Sequence, residues 1–384
     1  WNPNGVTDPT LDWFHKYVVT QVSTSDPTGG AETMTTAYSY AGGGAWHFAD
    51  DPITRLKHRT WSQWRGYGKV TAVSGKAAEG PRSQTTTIYL RGMDGDRQSD
   101  GTTRSVSVTG VKAPAAVDRD QYAGFARETI VYDGAGGAEV SGTWSGLWSK
   151  QTAAHDYGSY TARAFYTRNA GTRDRTTITA TDGTTSSRTR TKVTSYDTTY
   201  GMVTSVEDQG DISRTGDESC ARTWYARNPA KGLTSLVSRV QTLATTCDDT
   251  AVAAAVLPTT SATSGNVISD VATAYDTTTW SASQTPTIGE ARWTGRASKY
   301  AADGTPTWQT TTSTGYDGLG RVTTVTDAVG AKTTTVYTPA AAWPMTGTAV
   351  TNALGHLTTT TFDPAWGQAI RVVDANRKIT STRY

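Results

Sequence analysis

The sequence predicts an all-β chain assembled from tandem hairpins. Three observations predict it: the kind of large side chain used, the clustering of β-branched residues, and an acid-to-glycine turn that recurs. Leu, Ile, Val and Phe together make up roughly 14% of the chain, a level that marks disordered segments when the net charge is also high. Here the formal net charge is only +2. In place of aliphatics stand 13 Trp and 18 Tyr, rings that bury much area while keeping one polar atom for water. Threonine supplies roughly one residue in five, and its branched, hydroxylated side chain suits a pleated surface that is wet on one or both faces. Such a chain can fold but cannot fill a thick, dry core. Its 384 residues imply two or three domains or an elongated array.

Taken from the N-terminus, residues 1–185 read as a degenerate β-rich segment. Gly42-Gly43-Gly44 reads as a flexible turn between Tyr40 and Trp46, since the Lys-Ser/Thr and the helix of a phosphate cradle do not follow. Trp46, Trp61, Trp64 and Tyr67, then Trp144 and Trp148, form aromatic clusters. Such rings pack a sheet or, where exposed and coplanar, stack on sugar rings. The stretch from Asp94 to Gly101 alternates carboxylates like a calcium loop. Ser99 stands where the tight-turn Gly belongs, however, and Ser105 where the bidentate Glu belongs, so a polar hairpin turn is expected.

Residues 186–315 read as degenerate repeats headed by Tyr196-Asp197, by Tyr275-Asp276, and by Tyr300 with Asp303-Gly304; an earlier weak copy starts at Tyr132-Asp133. The two cysteines, Cys220 and Cys247, lie in this part with no His near either, which argues against zinc. A disulfide is favoured over two free buried thiols. In the chain-entropy model such a bridge stabilises by roughly 3.6 kcal/mol, and it implies an oxidising compartment.

Residues 316–384 are the most regular. One copy runs Tyr316, Asp317, Gly318, Leu319, Gly320, Arg321, Val322, then Asp327, Gly330 and Tyr337. A second runs Phe362, Asp363, Pro364, Ala365, Trp366, Gly367, Gln368, then Asp374, Lys378 and Tyr384, and a half-copy, Asn352 to His356, lies between them. The aromatic residue ends one strand, the Asp caps a turn, and Gly takes the positive φ that the turn demands. The Thr- and Val-rich runs that follow are strands. Repeated units of this kind must stack or close, because one hairpin cannot bury its face alone and open edges invite aggregation.

These residues resemble the YD-repeat motif, Tyr-Asp-x-x-Gly-Arg followed by a hydrophobic residue, of RHS proteins, teneurins and Tc-toxin cocoon subunits. The similarity is strongest over 316–384. Over 186–315 it includes the segment from Cys220 to Asn228, and upstream it includes Met93 to Arg97 and Trp61 to Tyr67. His356 and Gln368 depart from the motif at the Arg position. The resemblance implies a spiral of β-hairpins closed into part of a hollow shell, in a secreted or cell-surface protein. It further implies that this chain is the middle of a larger polypeptide whose C-terminal toxin or cargo is the shell's partner, and that Tyr316, Asp317, Gly320, Arg321, Asp327, Gly330, Tyr337, Phe362, Asp363, Gly367, Asp374 and Tyr384 are structural positions.

Other classes have weaker support. The 36 basic residues are interleaved with 34 acids, so nothing pulls nucleic acid toward the chain. The longest apolar run, Ala251 to Leu257, is far short of the roughly 20 residues that span a bilayer. The five histidines are dispersed, and neither His-Glu-x-x-His nor Gly-x-Ser-x-Gly occurs. No cofactor is expected. A glycan-active enzyme would need two facing carboxylates, which sequence alone does not locate. The leading alternative to the wall is a carbohydrate-binding or adhesive module using Trp46, Trp61, Trp64 and Tyr67.

Overall fold

In a computed structural model the described residues are 13, 15–51, 53–76, 80–158, 161–248, 255, 257 and 266–384. Most of the apolar run from Ala251 lies outside them. The described chain is all-β, with twenty-two strands and a few single turns of 3-10 helix. No described helix is long and apolar enough to cross a membrane.

The chain divides into two compact units, one of Trp1–Gly201 with Asp208–Asp217 and one of Met202–Glu207 with Glu218–Tyr384. In the first unit, β1 (Gln21–Thr24), β2 (Met34–His47), β3 (Gln63–Ser74) and β4 (Ser83–Tyr89) pair antiparallel in succession. A small two-stranded sheet, β5 (Ser107–Val108) and β6 (Ala116–Val117), interrupts this order. The meander resumes as β4 pairs with β7 (Ala126–Tyr132), followed by β8 (Glu139–Asp156), β9 (Thr161–Thr179) and β10 (Thr185–Tyr196). Strand β11 (Val203–Asp211) contributes residues to both units.

The second unit is a longer meander. It comprises β12 (Ser219–Asn228), β13 (Leu233–Leu243), β14 (Val267–Tyr275), β15 (Ala291–Tyr300), β16 (Pro306–Tyr316), β17 (Val322–Asp327), β18 (Lys332–Thr338), β19 (Gly347–Thr351), β20 (Leu357–Phe362), β21 (Ala369–Val373) and β22 (Ile379–Ser381). Each strand pairs antiparallel with the next.

The cores are small, as the aliphatic-poor composition requires. In the first unit Leu90, Met93, Ala113, Tyr122 and Ile130 are buried. In the second, Leu243, Ala255 and Val267 form one cluster, and Ala272, Ala274 and Trp293 form another against Trp280 and Trp308. From Tyr316 onward Arg321 is the one described residue that is buried.

The glycine triplet corrects the sequence reading. Gly42 and Gly43, at φ +82° and +68°, form a bulge inside β2 rather than a flexible turn, and the pairing with β3 slips between Ala41 and Gly44. The Arg91 guanidinium donates to both their carbonyls, and a Cβ on Gly44 would collide with the Trp64 ring. The triplet makes room for an indole.

Candidate functional site

The recurring unit is a turn built from one Asp or Asn side-chain oxygen and one left-handed residue. At 317–321 the Asp317 N–H donates to the Arg321 carbonyl at 2.9 Å, and the Gly320 N–H returns to the Asp317 carbonyl at 3.1 Å. Asp317 Oδ1 accepts the N–H groups of Leu319 and Arg321 at 2.9 and 3.0 Å. The same bonds recur at Asp327–Ala331, Asn352–His356 and Asp374–Lys378. The fourth residue sits at φ +76° in Gly320, +86° in Gly330, +80° in Gly355 and +63° in Arg377. The turn at Asp363 is one residue longer and places Gly367 at φ +64°. Partial burial works against the Asp317 carboxylate, but the Arg321 N–H and guanidinium and the Leu319 N–H outweigh it and hold the carboxyl below its ordinary range.

Asp276 is the same device stretched over a loop. It adopts φ +62° and accepts four backbone N–H groups, from Thr287, Ile288, Gly289 and Glu290, at 2.6 to 2.9 Å. Burial opposes ionisation there, and the four donors still keep its pKa low.

The aromatic residue of each unit forms a second tie. Tyr316, Tyr337 and Tyr384 donate their hydroxyls to the carbonyls of Ala291, Val322 and Ala369, each the first residue of the preceding strand. Tyr275 reaches Val237, Tyr225 reaches Val203, Tyr196 reaches Asn169 and Tyr40 reaches Val19. In the second unit these acceptors lie opposite the previous aromatic residue: Val237 faces Tyr225, Ala291 faces Tyr275, Val322 faces Tyr316 and Ala369 faces Phe362. In each of those four pairs the register slips by one residue just before the ring, and such a bulge re-aims the side chain across the neighbouring strand. Burial raises the pKa of Tyr196, Tyr275 and Tyr316, so these hydroxyls stay protonated donors.

Sequence reading found the Asp and Gly of the turns but missed the bulges and the hydroxyl acceptors, which depend on strand register. Tyr300 does close β15 ahead of a turn in which Asp303 accepts the Thr305 N–H and Gly304 sits at φ +79°, but it lacks the tie of the other rings. Its hydroxyl instead donates to the buried Asp270 carboxylate at 2.5 Å, and burial followed by that bond raises its pKa to about 12. Arg239 holds Asp270 bidentately at 2.8 and 2.6 Å, and its guanidinium lies over both Trp224 and Trp308. Arg321 is a comparable knot. It pairs with Asp317 at 2.7 Å, donates to the carbonyls of Pro339 and Ala340, and stacks on Tyr337 and Trp343.

A scan of protein-family models and a search of curated proteins found no match to this chain. The chemistry therefore has to come from the geometry.

Trp46, Trp61, Trp64 and Tyr67 are all half-buried. Trp46 meets Trp64 at 59° and Trp64 meets Tyr67 at 78°, while Trp61 meets Phe48 edge-on and donates its indole N–H to the Arg97 carbonyl at 2.7 Å. The rings present edges to one another and offer no common plane. Trp148 packs on Tyr196, and the Arg127 guanidinium covers Trp144. At 98–102 the polar stretch makes a hairpin turn capped by Asp100, while the Asp96 carboxylate accepts the Phe48 N–H. Among the described residues no group of three or more His, Cys, Asp or Glu side chains is disposed to hold a metal.

Cys220 and Cys247 form a disulfide with a Cα separation of 5.0 Å. Beside it opens a cavity of about 340 Å³ lined by Thr204, Ser205, Arg222, Thr223, Trp224 and Cys247.

Proposed function

We propose that this chain is structural wall: a segment of a YD-repeat β-hairpin shell in a secreted RHS-type toxin or cell-surface protein, enclosing or presenting a polypeptide found elsewhere in the parent. The observation that supports this reading is the repetition of one unit, a capped left-handed turn with a tyrosine tied to the preceding strand, in place of a single elaborated site. A unit that fixes register locally can be repeated without a large core, as a wall requires. The disulfide is compatible with an oxidising compartment. The half-buried, mutually tilted rings at Trp46, Trp61, Trp64 and Tyr67 favour packing over an adhesive platform, which needs exposed coplanar faces. Electron microscopy of the parent polypeptide tests the proposal. The expected image is a hollow particle with these strands in its wall, and a solid globule or an open rod overturns it.

A further inference from the structure

The two longest strands of the first unit outrun their neighbours. Strand β7 pairs with β8 only as far as Trp144, and β10 pairs with β9 only as far as Gly171. Beyond those points, among the described residues, 147–156 and 161–169 pair with each other alone, as a two-stranded ribbon. Its base is fastened, since Gln121 and Tyr122 donate to the Ser149 hydroxyl and the Tyr166 ring lies against Gly201. Past the base, residues 150–158 are all exposed, as are Arg163 and Ala164. A lone pair of strands is marginally stable in water, and its outer edges carry unpaired backbone groups that template a further strand. Over residues 153–156 and 161–165 neither edge has a proline or a bulge to blunt it.

Two charges on those edges are unanswered within the ribbon. Arg163 faces Ala154 and Asp156 faces Thr161. Arg163 donates to the Thr161 carbonyl and Asp156 accepts the Gly158 N–H, and among the described residues neither joins an ion pair. We propose that the ribbon joins copies of this chain head to tail, the outer edge of β9 in one copy pairing antiparallel with the outer edge of β8 in the next. Moving the hairpin's own register by two residues sets Arg163 opposite Asp156, Ala164 opposite His155 and Phe165 opposite Ala154, and just past β8 Tyr157 meets Ala162. A two-residue step leaves every side chain on its face and every outward backbone group outward. It brings opposite charges face to face, which stabilises a cross-strand pair, and it puts a small residue opposite each large one. The unshifted register would leave both charges facing Ala and Thr again. The complementary edge is supplied by the chain itself, which favours a second copy over an unrelated strand. Because the two edges differ, each copy keeps one free, and association is open-ended rather than a closed dimer. A ladder this short buries well under the roughly 1,200 Å² of a standard interface, so the contact is weak and shows at high protein concentration.

Sedimentation velocity of the whole chain over a concentration series tests this. The unmodified chain should grow in mean mass as its concentration rises. Arg163→Asp brings two carboxylates face to face and should weaken association by about tenfold or more. Asp156→Lys should do the same by setting two cations face to face. An equimolar mixture of the two variants should associate as the unmodified chain does, because each altered charge meets its opposite in the other variant. If Asp156→Lys loosens the ribbon tip by removing the acceptor of the Gly158 N–H, Asp156→Asn provides the readout. It keeps a side-chain acceptor for that turn and removes only the charge, and it should weaken association by about threefold. An unmodified chain that stays monomeric up to about 1 mM, the weak end of specific association, overturns the assignment. So does unchanged association in Arg163→Asp or in Asp156→Asn, or a mixture of folded charge-reversed variants that associates no better than either alone.

Discussion

Strands β4 and β7 of the first unit and strands β17–β22 of the second share antiparallel pairing but are held by different means. Around β4 and β7 the chain buries Ile88, Leu90, Met93, Tyr122 and Ile130, and it buries charge with them: Asp96, Asp118, Arg127 and Glu128 are all nearly inaccessible. Their partners come from afar. Glu128 accepts from the N–H groups of Lys112 and Ala113 and pairs with Arg175, 47 residues away, at 2.9 Å. Asp118 accepts the N–H groups of Arg91, Gly92 and Met93. From Tyr316 onward nothing but Arg321 is buried, and order comes from capped turns and tyrosine ties 15 to 25 residues long. The irregular region concentrates stability in a few non-local polar contacts, whereas the regular region spreads it over many local ones. A repeat can be copied only if its stabilising contacts lie within or next to the copy.

The sharpest way to break that contrast is to remove one charge from the irregular region. Glu128→Ala would leave Arg175 with Glu139 alone and two backbone N–H groups without an acceptor. Loss of one member of a buried pair costs about 3–5 kcal/mol, and urea unfolding should show a loss of that size. A loss below about 1 kcal/mol, the scale of one ordinary hydrogen bond, would remove the distinction between the regions.

In the regular region Gly320→Val is the corresponding large perturbation. A Cβ at Gly320 would meet no heavy atom within 4 Å, so the cost comes from φ +76° alone. That is about 1–3 kcal/mol, read as a lowered melting temperature. An unchanged melting temperature would count against the turn assignment. Arg377 offers the inverse test, since it holds the same turn position at φ +63° without being glycine. Arg377→Gly should stabilise the chain by up to about 1 kcal/mol by relieving that conformation, checked by the same melt.

What sequence shows and hides follows the same divide. The turns at Asp317-Gly320 and Asp327-Gly330 were legible because each depends on residues three apart with a fixed backbone requirement. The cysteine pair was legible because two residues leave few alternatives. Arg377 hid in plain view: the hydrogen bonds of its turn match the glycine turns, yet its side chain breaks the pattern by which such turns are recognised. The bulge at Gly42–Gly44 could not be told from a turn without knowing that Trp64 lies opposite. The Glu128–Arg175 pair, the Tyr300–Asp270 bond and the Arg222 cavity join residues whose proximity is set by strand order, and no local spacing encodes that. Tyr225 carried a readable signal, an aromatic closing a strand, but without Asp-x-x-Gly behind it the residue blended into its neighbours.

The finest test concerns a break in the tyrosine series at Phe362. Phe362 occupies a repeat-head position, follows the same register slip as Tyr275 and Tyr316, and faces Ala369, the acceptor for Tyr384. It has no hydroxyl. In the intact copies the acceptor is the residue opposite the one that precedes the ring, as Val237 stands to Ala274 and Ala369 to Arg383 when the pairing is continued. Thr361 pairs with Gly347, so the Gly347 carbonyl is where a hydroxyl at 362 should arrive. Phe362→Tyr is therefore expected to add about 0.5–1 kcal/mol, the net worth of one hydrogen bond, without altering the strand pairing, and amide exchange should slow in β19 and β20. If the variant gains nothing, the hydroxyls are satisfied incidentally, and the capped turns alone must then set the register of the repeats.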